Sequence, residues 1–274
     1  MILKRKIYKK LLEWKNECQG KKALLIEGAR RIGKSTICEE FGKNEYESYL
    51  LIDFAKKDKE VEMYFERYLN DLDTFFMLLQ THFGTKLTER NSLIIFDEVQ
   101  MFPQARAAIK YLVADGRYDY IETGSLISIR ENVKNIVIPS EERNINMYPL
   151  DFEEFAIALE EDLLVEYIKK CFEKREPLER SMHNQAMLLF HQYMLVGGMP
   201  MPVVAFIESK KDFTEADKEK RDILKLYRED IMKIDMRYRS KVLAIYDQIP
   251  GFLSQHEKRV VFKKLLDGSY AYQY

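Results

Sequence analysis

The sequence predicts an α/β fold over residues 1–150 and an all-α fold after them. In the first part, five short apolar runs of about strand length occur at residues 23–27, 49–54, 92–98, 118–124 and 145–148. Segments with helical periodicity separate these runs, and this alternation is typical of a parallel sheet covered by helices on both faces. After Pro149 only helical patterns follow. We call residues 1–150 the α/β half and the remainder the helical half.

The composition is that of a globular protein without a strong overall charge. Of 274 residues, 46% are hydrophobic and 32% charged, and 44 Lys and Arg balance 45 Asp and Glu. No global field therefore draws the chain to nucleic acid or anionic lipid, although a local patch could. Cys18, Cys38 and Cys171 have the irregular spacing of free thiols, and no apolar run is long enough to span a bilayer. We expect a cytoplasmic protein without a membrane partner.

Helix signals define the other elements of the α/β half. Ile7, Leu11 and Trp14 lie at helical spacing, so the basic residues around them fit the solvent face of an amphipathic helix better than a nucleic-acid patch. The stretch 61–83 predicts one long helix. A further helix is expected over 103–116, with Pro103 near its start and Gly116 past its end.

Capping patterns place helices in the helical half. Asp151 and Glu154 form a capping box before a helical stripe, and Thr214 with Asp217 predicts another. Residues 162–172 and 187–195 carry further stripes, and 196–202 is a sharp break. A last helix is expected after Ser254, packed on the helical half or on a neighbouring chain. Because the pattern of a second helix begins at Tyr270 and stops after five residues, we expect that the chain is truncated at residue 274.

The strongest motif follows the first strand. Residues 28–36, GARRIGKST, match the phosphate-binding pattern G-x-x-x-x-G-K-[ST] between a strand and a helix. The glycines let backbone N–H groups curl around phosphate oxygens, and the helix N-terminus adds partial positive charge. The motif predicts an ATP site with Mg²⁺, in which the lysine reaches the β- and γ-phosphates and the serine binds the metal. The predicted nucleotide-binding residues are Gly28, Ala29, Arg30, Arg31, Ile32, Gly33, Lys34, Ser35 and Thr36.

Polar residues end two other predicted strands. Asp97 and Glu98 follow a buried run, at the edge of the sheet where ligands of open α/β folds bind. With Ser35, Asp97 is expected to hold Mg²⁺, and Glu98 is expected to be the base that activates water. Thr123 ends the next strand, where its hydroxyl could bind the γ-phosphate or the attacking water.

An arginine is also expected at the γ-phosphate, because the transition state carries negative charge there. The candidates are Arg30, Arg31, Arg130 and Arg143, and sequence alone does not choose among them. Of these, Arg143 is our preferred prediction for a catalytic role beside Lys34.

With these motifs the chain resembles AAA-like P-loop ATPases of bacteria and archaea, in the archaeal-ATPase branch with a poorly characterised C-terminal domain. The resemblance rests on GARRIGKST, IIFDEVQMFPQARAAIKYL, YIETGSLISI, YPLDFEEFAIAL and YMLVGGMP, in that order. It implies an ATPase core over 1–150 with sheet order 5-1-4-3-2 and a helical lid domain over 151–240. It also implies the start of a winged-helix-like segment over 241–274, where this chain stops.

Two functions remain open. The first is Mg²⁺-dependent ATP hydrolysis by a switch or motor, with Lys34, Ser35, Asp97, Glu98 and Thr123 around the nucleotide. The second is a nucleotide-stabilised module that binds DNA or protein through the helical half, and a homo-oligomer is possible in either case. A hydrolase needs Glu98, whereas a binding module would tolerate glutamine there. A GTPase is disfavoured because the sequence has no N-K-x-D motif, and a small-molecule kinase would normally lack the Asp-Glu pair.

Overall fold

The computed structural model, which describes residues 1–125 and 140–254, contains one parallel sheet of five strands in that part of the chain. The sheet order is β2-β3-β4-β1-β5. Read from the other edge this is 5-1-4-3-2, so the predicted order is confirmed. The strands are β1 Ala23–Gly28, β2 Ser48–Asp53, β3 Ser92–Asp97, β4 Asp119–Ser125 and β5 Glu142–Asn146.

The pairing register brings the ends of the central strands to one edge. Within the sheet, Ile95 of β3 lies opposite both Leu51 of β2 and Ile121 of β4. Because every pairing is parallel, the strands end on the same side. We call this side the carboxyl edge.

The fifth strand is shifted from its prediction at 145–148. β5 spans Glu142–Asn146 at one side of the sheet, and its residues are half-buried or exposed. An edge strand of this kind lacks the apolar run that identifies the buried strands. The apolar residues around Met147 therefore placed the predicted strand several residues too close to the C-terminus. Met147 lies just past the strand, where its N–H donates to the carbonyl of Glu27 at 2.8 Å.

Five helices cover the two faces of the sheet in the described residues of the α/β half. Leu11 and Trp14 of α1 pack with Phe41 of α2 on one face, and Phe65 and Phe76 of α3 and α4 are buried with α5 on the other. Full burial of each such side chain contributes about 1.5–3 kcal/mol. The helices are α1 Ile7–Cys18, α2 Lys34–Glu45, α3 Lys59–Tyr68, α4 Leu72–Phe83 and α5 Pro103–Asp115, with 3-10 turns at Phe54–Lys56 and Val99–Met101.

The stretch 61–83 is two helices rather than the single one predicted. The Asp71 carboxylate accepts hydrogen bonds from the N–H of Thr74, at 3.2 Å, and from its hydroxyl. Asp71 thereby caps a new helix and interrupts the first one after Tyr68. The apolar spacing continues across this break, which is why periodicity alone did not reveal it. The predicted helix at 103–116 is confirmed, with Pro103 in its first turn and Gly116 at its end.

The helical half has an apolar cluster of its own around Phe155, Leu189 and Phe206. The capping box of Asp151 and Glu154 is confirmed, because each side chain accepts a hydrogen bond from the backbone N–H of the other. The helices are α6 Phe152–Ala158, α7 Asp162–Lys174, α8 Arg180–Val196, α9 Pro200–Glu208, α10 Phe213–Ile231 and α11 Met236–Ser254. In the described ranges, no helix combines the length and apolar character needed to cross a membrane.

The cap predicted at Thr214 is wrong. α10 is capped by Asp212, whose carboxylate accepts from the N–H of Thr214 at 2.8 Å, so Thr214 already lies inside the helix. Ser254 lies in the last described turn of α11, where its hydroxyl donates to the carbonyl of Gly251. The remainder of the predicted last helix, and the residues up to 274, lie outside the described ranges.

The break after α8 holds the helical half against the end of the sheet. The N–H of Leu150 donates to the carbonyl of Gly198 at 2.7 Å. A Cβ at Gly198 would lie 2.1 Å from the Leu150 oxygen, so only glycine permits this approach. The Tyr193 hydroxyl donates to the same oxygen at 2.9 Å. Glycine and tyrosine thus fix where the chain leaves the sheet.

Candidate active site

The loop between β1 and α2 forms a concave turn at the carboxyl edge. A Cβ at Gly28 would lie 2.4 Å from the backbone oxygen of Met147, so only glycine fits beneath the neighbouring chain segment. Arg31 and Gly33 have positive φ angles of 68° and 90°, which curl the loop. No side chain caps the N-terminus of α2. Its first N–H groups therefore point into the loop, as in an anion-binding site.

Lys34 lies at the mouth of this loop. It is the first residue of α2 and is buried, and its Nζ donates to the carbonyls of Gly28 at 3.2 Å and Ala29 at 2.9 Å. Burial lowers the pKa of the ammonium, while the carboxylates of Glu98 and Asp97 oppose that shift. A buried cation held by two neutral carbonyls is well placed to accept phosphate oxygens as stronger partners.

Side chains from three elements meet beside Lys34. The Ser35 hydroxyl lies 2.8 and 2.7 Å from the two carboxylate oxygens of Asp97, at the end of β3. The Thr123 hydroxyl of β4 donates to the same carboxylate. Hydroxyl and carboxylate oxygens are the ligands that Mg²⁺ takes in proteins, together with water and substrate phosphates. Ser35 and Asp97 therefore fit the metal predicted for them.

Glu98 follows β3 in an unusual backbone conformation. Its φ of 53° is in the left-handed region, which is costly for a residue other than glycine. Its N–H donates to the Thr123 hydroxyl at 3.3 Å, and Gln100 donates from Nε2 to its carboxylate. The hydrogen bond from Gln100 thus orients the carboxylate of Glu98, which is next in sequence to the predicted metal ligand Asp97.

Gln100 is a site residue that the sequence analysis missed. It is buried, and its only signal in the sequence is its place two residues after Glu98. Arg5 was also missed. Its guanidinium donates to the carbonyl of Ile32 at 3.0 Å and pairs with the buried Glu154 at 3.3 Å. These contacts join the loop to the chain terminus and to α6, and no local sequence pattern indicates them.

Arg30 turns away from the loop towards the helical half. Its Nη1 lies 2.6 Å from both carboxylate oxygens of Asp230, near the end of α10. The Tyr227 hydroxyl, one turn earlier, donates to the Arg30 carbonyl at 2.9 Å. A sequence separation of about 200 residues hides these contacts from any motif.

The structure does not bring Arg143 to the other predicted site residues. In the sheet, Arg143 lies opposite Leu24, which is four residues before the end of β1. Because a strand rises roughly 3.3 Å per residue, the backbone of Arg143 lies roughly 13 Å from the carboxyl edge. Its guanidinium instead pairs with Glu17 at 2.6 Å. A role at the γ-phosphate of its own chain is not supported by this placement. Arg130 lies outside the described residues.

The remaining loop residues differ in exposure. Ile32 is fully buried in the apolar cluster beneath α1 and α2, so it anchors the loop. Ala29, Arg31 and Thr36 are exposed.

Comparisons with known proteins agree with this geometry. A family model described as AAA domain matches residues 20–156, half of the chain, including the phosphate-binding loop, β3 and β4. No curated protein matches the sequence.

Solved structures with a similar arrangement are distant in sequence. C. elegans PCH-2 is 11% identical, with 80% of this chain and 69% of that chain covered and a TM-score of 0.41. The Aeropyrum pernix ORC1 protein in complex with DNA is 9% identical, with 97% and 81% covered and a TM-score of 0.39. A Pyrococcus horikoshii STAND ATPase with a tetratricopeptide repeat sensor is 18% identical, with 94% and 38% covered and a TM-score of 0.41. By its family match, its sheet order and its loop, the chain belongs to the AAA-like P-loop ATPases.

Proposed function

We propose that this protein binds Mg-ATP at the carboxyl edge and hydrolyses it slowly, as a switch or motor. The observation that carries the proposal is the cluster of Ser35, Asp97 and Thr123 beside the Lys34 ammonium. A glycine turn with incidental charges would not align a hydroxyl, a carboxylate and a second hydroxyl from three separate elements.

Binding rests on the loop and on Lys34. The N–H groups at the start of α2 receive the phosphates, and the ammonium moves from the loop carbonyls to the β- and γ-phosphate oxygens. Ser35 and Asp97 hold the metal ion. When bound, Mg²⁺ neutralises the negative charge that develops on the phosphate oxygens.

Hydrolysis rests on Glu98. Its carboxylate accepts the proton of the attacking water, and Gln100 keeps it in one orientation. The Thr123 hydroxyl donates to the Asp97 carboxylate and accepts from the N–H of Glu98. A movement of this hydroxyl when the γ-phosphate is lost would therefore shift both Asp97 and Glu98. Thr123 is therefore the sensor of the γ-phosphate.

We assign residues 1–150 to the ATPase core and 151–240 to a helical lid domain. The boundary expected after residue 240 falls inside α11, and residues 255–274 of the winged-helix-like segment expected over 241–274 lie outside the described ranges. The separate apolar cluster around Phe155 supports the second assignment. For the alternative function, in which the helical half binds a macromolecule, α8 favours protein over DNA. Met187, Leu188, Met194 and Leu195 are all exposed on that helix.

The test is a phosphate-release assay with purified protein, Mg²⁺ and either ATP or GTP, with and without DNA. We expect release from ATP that requires Mg²⁺. Tight ATP binding without release would favour the nucleotide-stabilised binding module, and equal use of both nucleotides would remove the adenine preference. Stimulation by DNA would overturn the preference for a protein partner.

A further inference from the structure

Three groups that would bind Mg-ATP are each held by a partner within the protein. Lys34 donates to the carbonyls of Gly28 and Ala29, and the Ser35 hydroxyl bonds Asp97. Arg30 pairs with Asp230. The first two partners belong to the α/β half, next to the group that they hold. Only the partner of Arg30 comes from the helical half.

We infer that Arg30 is the γ-phosphate arginine of this site and that Asp230 competes with the γ-phosphate for it. Triphosphate binding then breaks the ion pair between the loop and α10, whereas diphosphate leaves it intact. This inference rests on the proposed function and adds the residue pair through which the helical half responds to the nucleotide.

The position of Arg30 supports the first part. It lies in the phosphate-binding loop, between Gly28 and Gly33. The Asp230 carboxylate raises the pKa of its guanidinium above the usual range, and the Glu98 carboxylate acts in the same direction. Arg30 is therefore close enough to feel the charge of the residue proposed as the catalytic base. Arg143, by contrast, lies at the other end of its strand.

The energetics allow the exchange. The side chains of Arg30 and Asp230 are 41% and 35% exposed, and a pair this exposed contributes little stability. Asp230 keeps a second cation when Arg30 leaves, because the Lys233 Nζ lies 2.8 Å from it. A γ-phosphate carries more negative charge than one carboxylate and lies within the loop, so it is the stronger partner for the guanidinium.

The contacts around the pair define what would move. Asp230 is the last but one residue of α10, and Arg228, on the same helix, pairs with Asp247 of α11. Release of Asp230 therefore frees the end of α10 together with the α11 helix attached to it. The hydroxyl of Tyr227 bonds the Arg30 carbonyl rather than its side chain, so this contact survives the exchange and acts as a pivot.

The test compares the affinities of a non-hydrolysable ATP analogue and ADP, both with Mg²⁺, in the full chain. We expect Arg30→Ala to lower the affinity for the analogue by about tenfold or more relative to the affinity for ADP. Asp230→Asn should raise the affinity for the analogue by about two- to fivefold relative to the affinity for ADP, which is the scale of a partly exposed ion pair. The double variant should match Arg30→Ala alone, because Asp230 acts only through Arg30.

Asp247→Asn is the matched control, since it removes an ion pair of similar exposure that does not touch the loop, and it should leave the ratio unchanged. A structural readout accompanies it. Backbone hydrogen exchange over residues 227–231 should be faster with the analogue than with ADP in the wild type, and equal in Asp230→Asn.

Other outcomes would overturn the inference. If Asp230→Asn weakens the analogue, Asp230 positions Arg30 instead of competing for it. An unchanged analogue-to-ADP ratio in both single variants, with binding that still depends on Lys34, would reject the exchange and leave the proposed function standing. If the wild type binds neither nucleotide, both fail together.

Discussion

Two clusters of buried polar side chains lie on the same sheet and differ in what surrounds them. The edge cluster consists of Lys34, Asp97 and Thr123, beside the phosphate-binding loop. The interior cluster consists of Arg106, Glu122 and Glu142, beneath α5 on the face opposite α1 and α2. Both clusters bury charge, but only the first lies beside half-exposed groups, such as Ser35 and Arg30, that a ligand can reach.

The interior cluster is closed. The Arg106 guanidinium donates two hydrogen bonds to the Glu142 carboxylate, from Nε at 3.1 Å and from Nη2 at 2.9 Å. Within the described residues the Glu122 carboxyl has no hydrogen-bond donor, and its neighbour is the Glu142 carboxylate. Burial and then that neighbour raise the pKa of Glu122 well above its usual range, although Arg106 opposes the shift. Burial and the neighbouring Glu142 carboxylate thus both favour the neutral, protonated form of Glu122.

The difference teaches that burial and a perturbed pKa do not by themselves identify a functional site. The interior cluster contains an acid whose pKa is raised well above its usual range, yet its contacts are those that join α5, β4 and β5. The edge cluster combines a cation, metal-type oxygens and free helix N–H groups at an open loop. Substitutions in the edge cluster should therefore change nucleotide binding and hydrolysis, whereas substitutions in the interior cluster should change the free energy of unfolding.

The largest effect is expected for Lys34→Ala. The triphosphate loses the ammonium of the loop, so we expect no saturable binding even about a hundredfold above the wild-type Kd. The urea midpoint of unfolding should not fall, because burial of the charged Lys34 ammonium disfavours the folded state and the substitution removes this penalty. Lys43→Ala is the control on the same helix, where Lys43 is exposed and contacts Glu39 and the ring of Tyr49 rather than the loop. Equal ATP affinity in wild type and Lys34→Ala would reject the site.

Glu98→Gln should retain ATP affinity and lower hydrolysis by at least about a hundredfold, the usual scale of general-base catalysis. Single-turnover phosphate release checks this. Glu122→Gln is the matched control, since it makes the same chemical change in the middle of the neighbouring strand β4 and in the interior cluster. If the two variants hydrolyse ATP equally well, Glu98 is not the base.

The edge cluster could be predicted from sequence because each of its parts follows a buried strand. The loop motif follows β1, Asp97 and Glu98 lie at the end of β3, and Thr123 lies near the end of β4. Parallel strands bring these ends together. The sheet order came from the family resemblance and is confirmed.

The remaining parts depend on contacts between distant segments. Asp230 and Tyr227 reach Arg30 across about 200 residues, and Arg106 meets Glu142 across the fold. Neither contact has a local signature. Arg143 was misplaced for a related reason, since β5 begins earlier than its weak pattern suggested.

Glu122→Gln should change stability by a smaller, pH-dependent amount. Because the pKa of Glu122 is raised in the folded state, the folded protein holds this proton to a higher pH than the unfolded chain, so wild-type stability falls as pH rises above 4.5. Relative to wild type, the variant should gain stability as pH rises from 5, by at most about 1.4 kcal/mol per pH unit, the slope for one proton. Urea unfolding of both proteins at pH 5, 6 and 7 measures the difference. A constant difference would show that Glu122 is ionised in the folded protein.

The smallest effect is expected for Arg143→Ala, because Arg143 belongs to neither cluster. Its side chain is 46% exposed and pairs with an exposed Glu17 near the amino ends of the strands. An arginine at the γ-phosphate is worth about 10³–10⁵ in rate, whereas the loss of a screened surface charge should change turnover by less than about twofold. Turnover of wild type and variant should be measured over a range of protein concentrations. A large loss at every concentration would return Arg143 to the site of its own chain. If the loss appears only as concentration rises, a neighbouring copy supplies the arginine, which would make the predicted homo-oligomer the catalytic unit and extend the edge cluster across two chains.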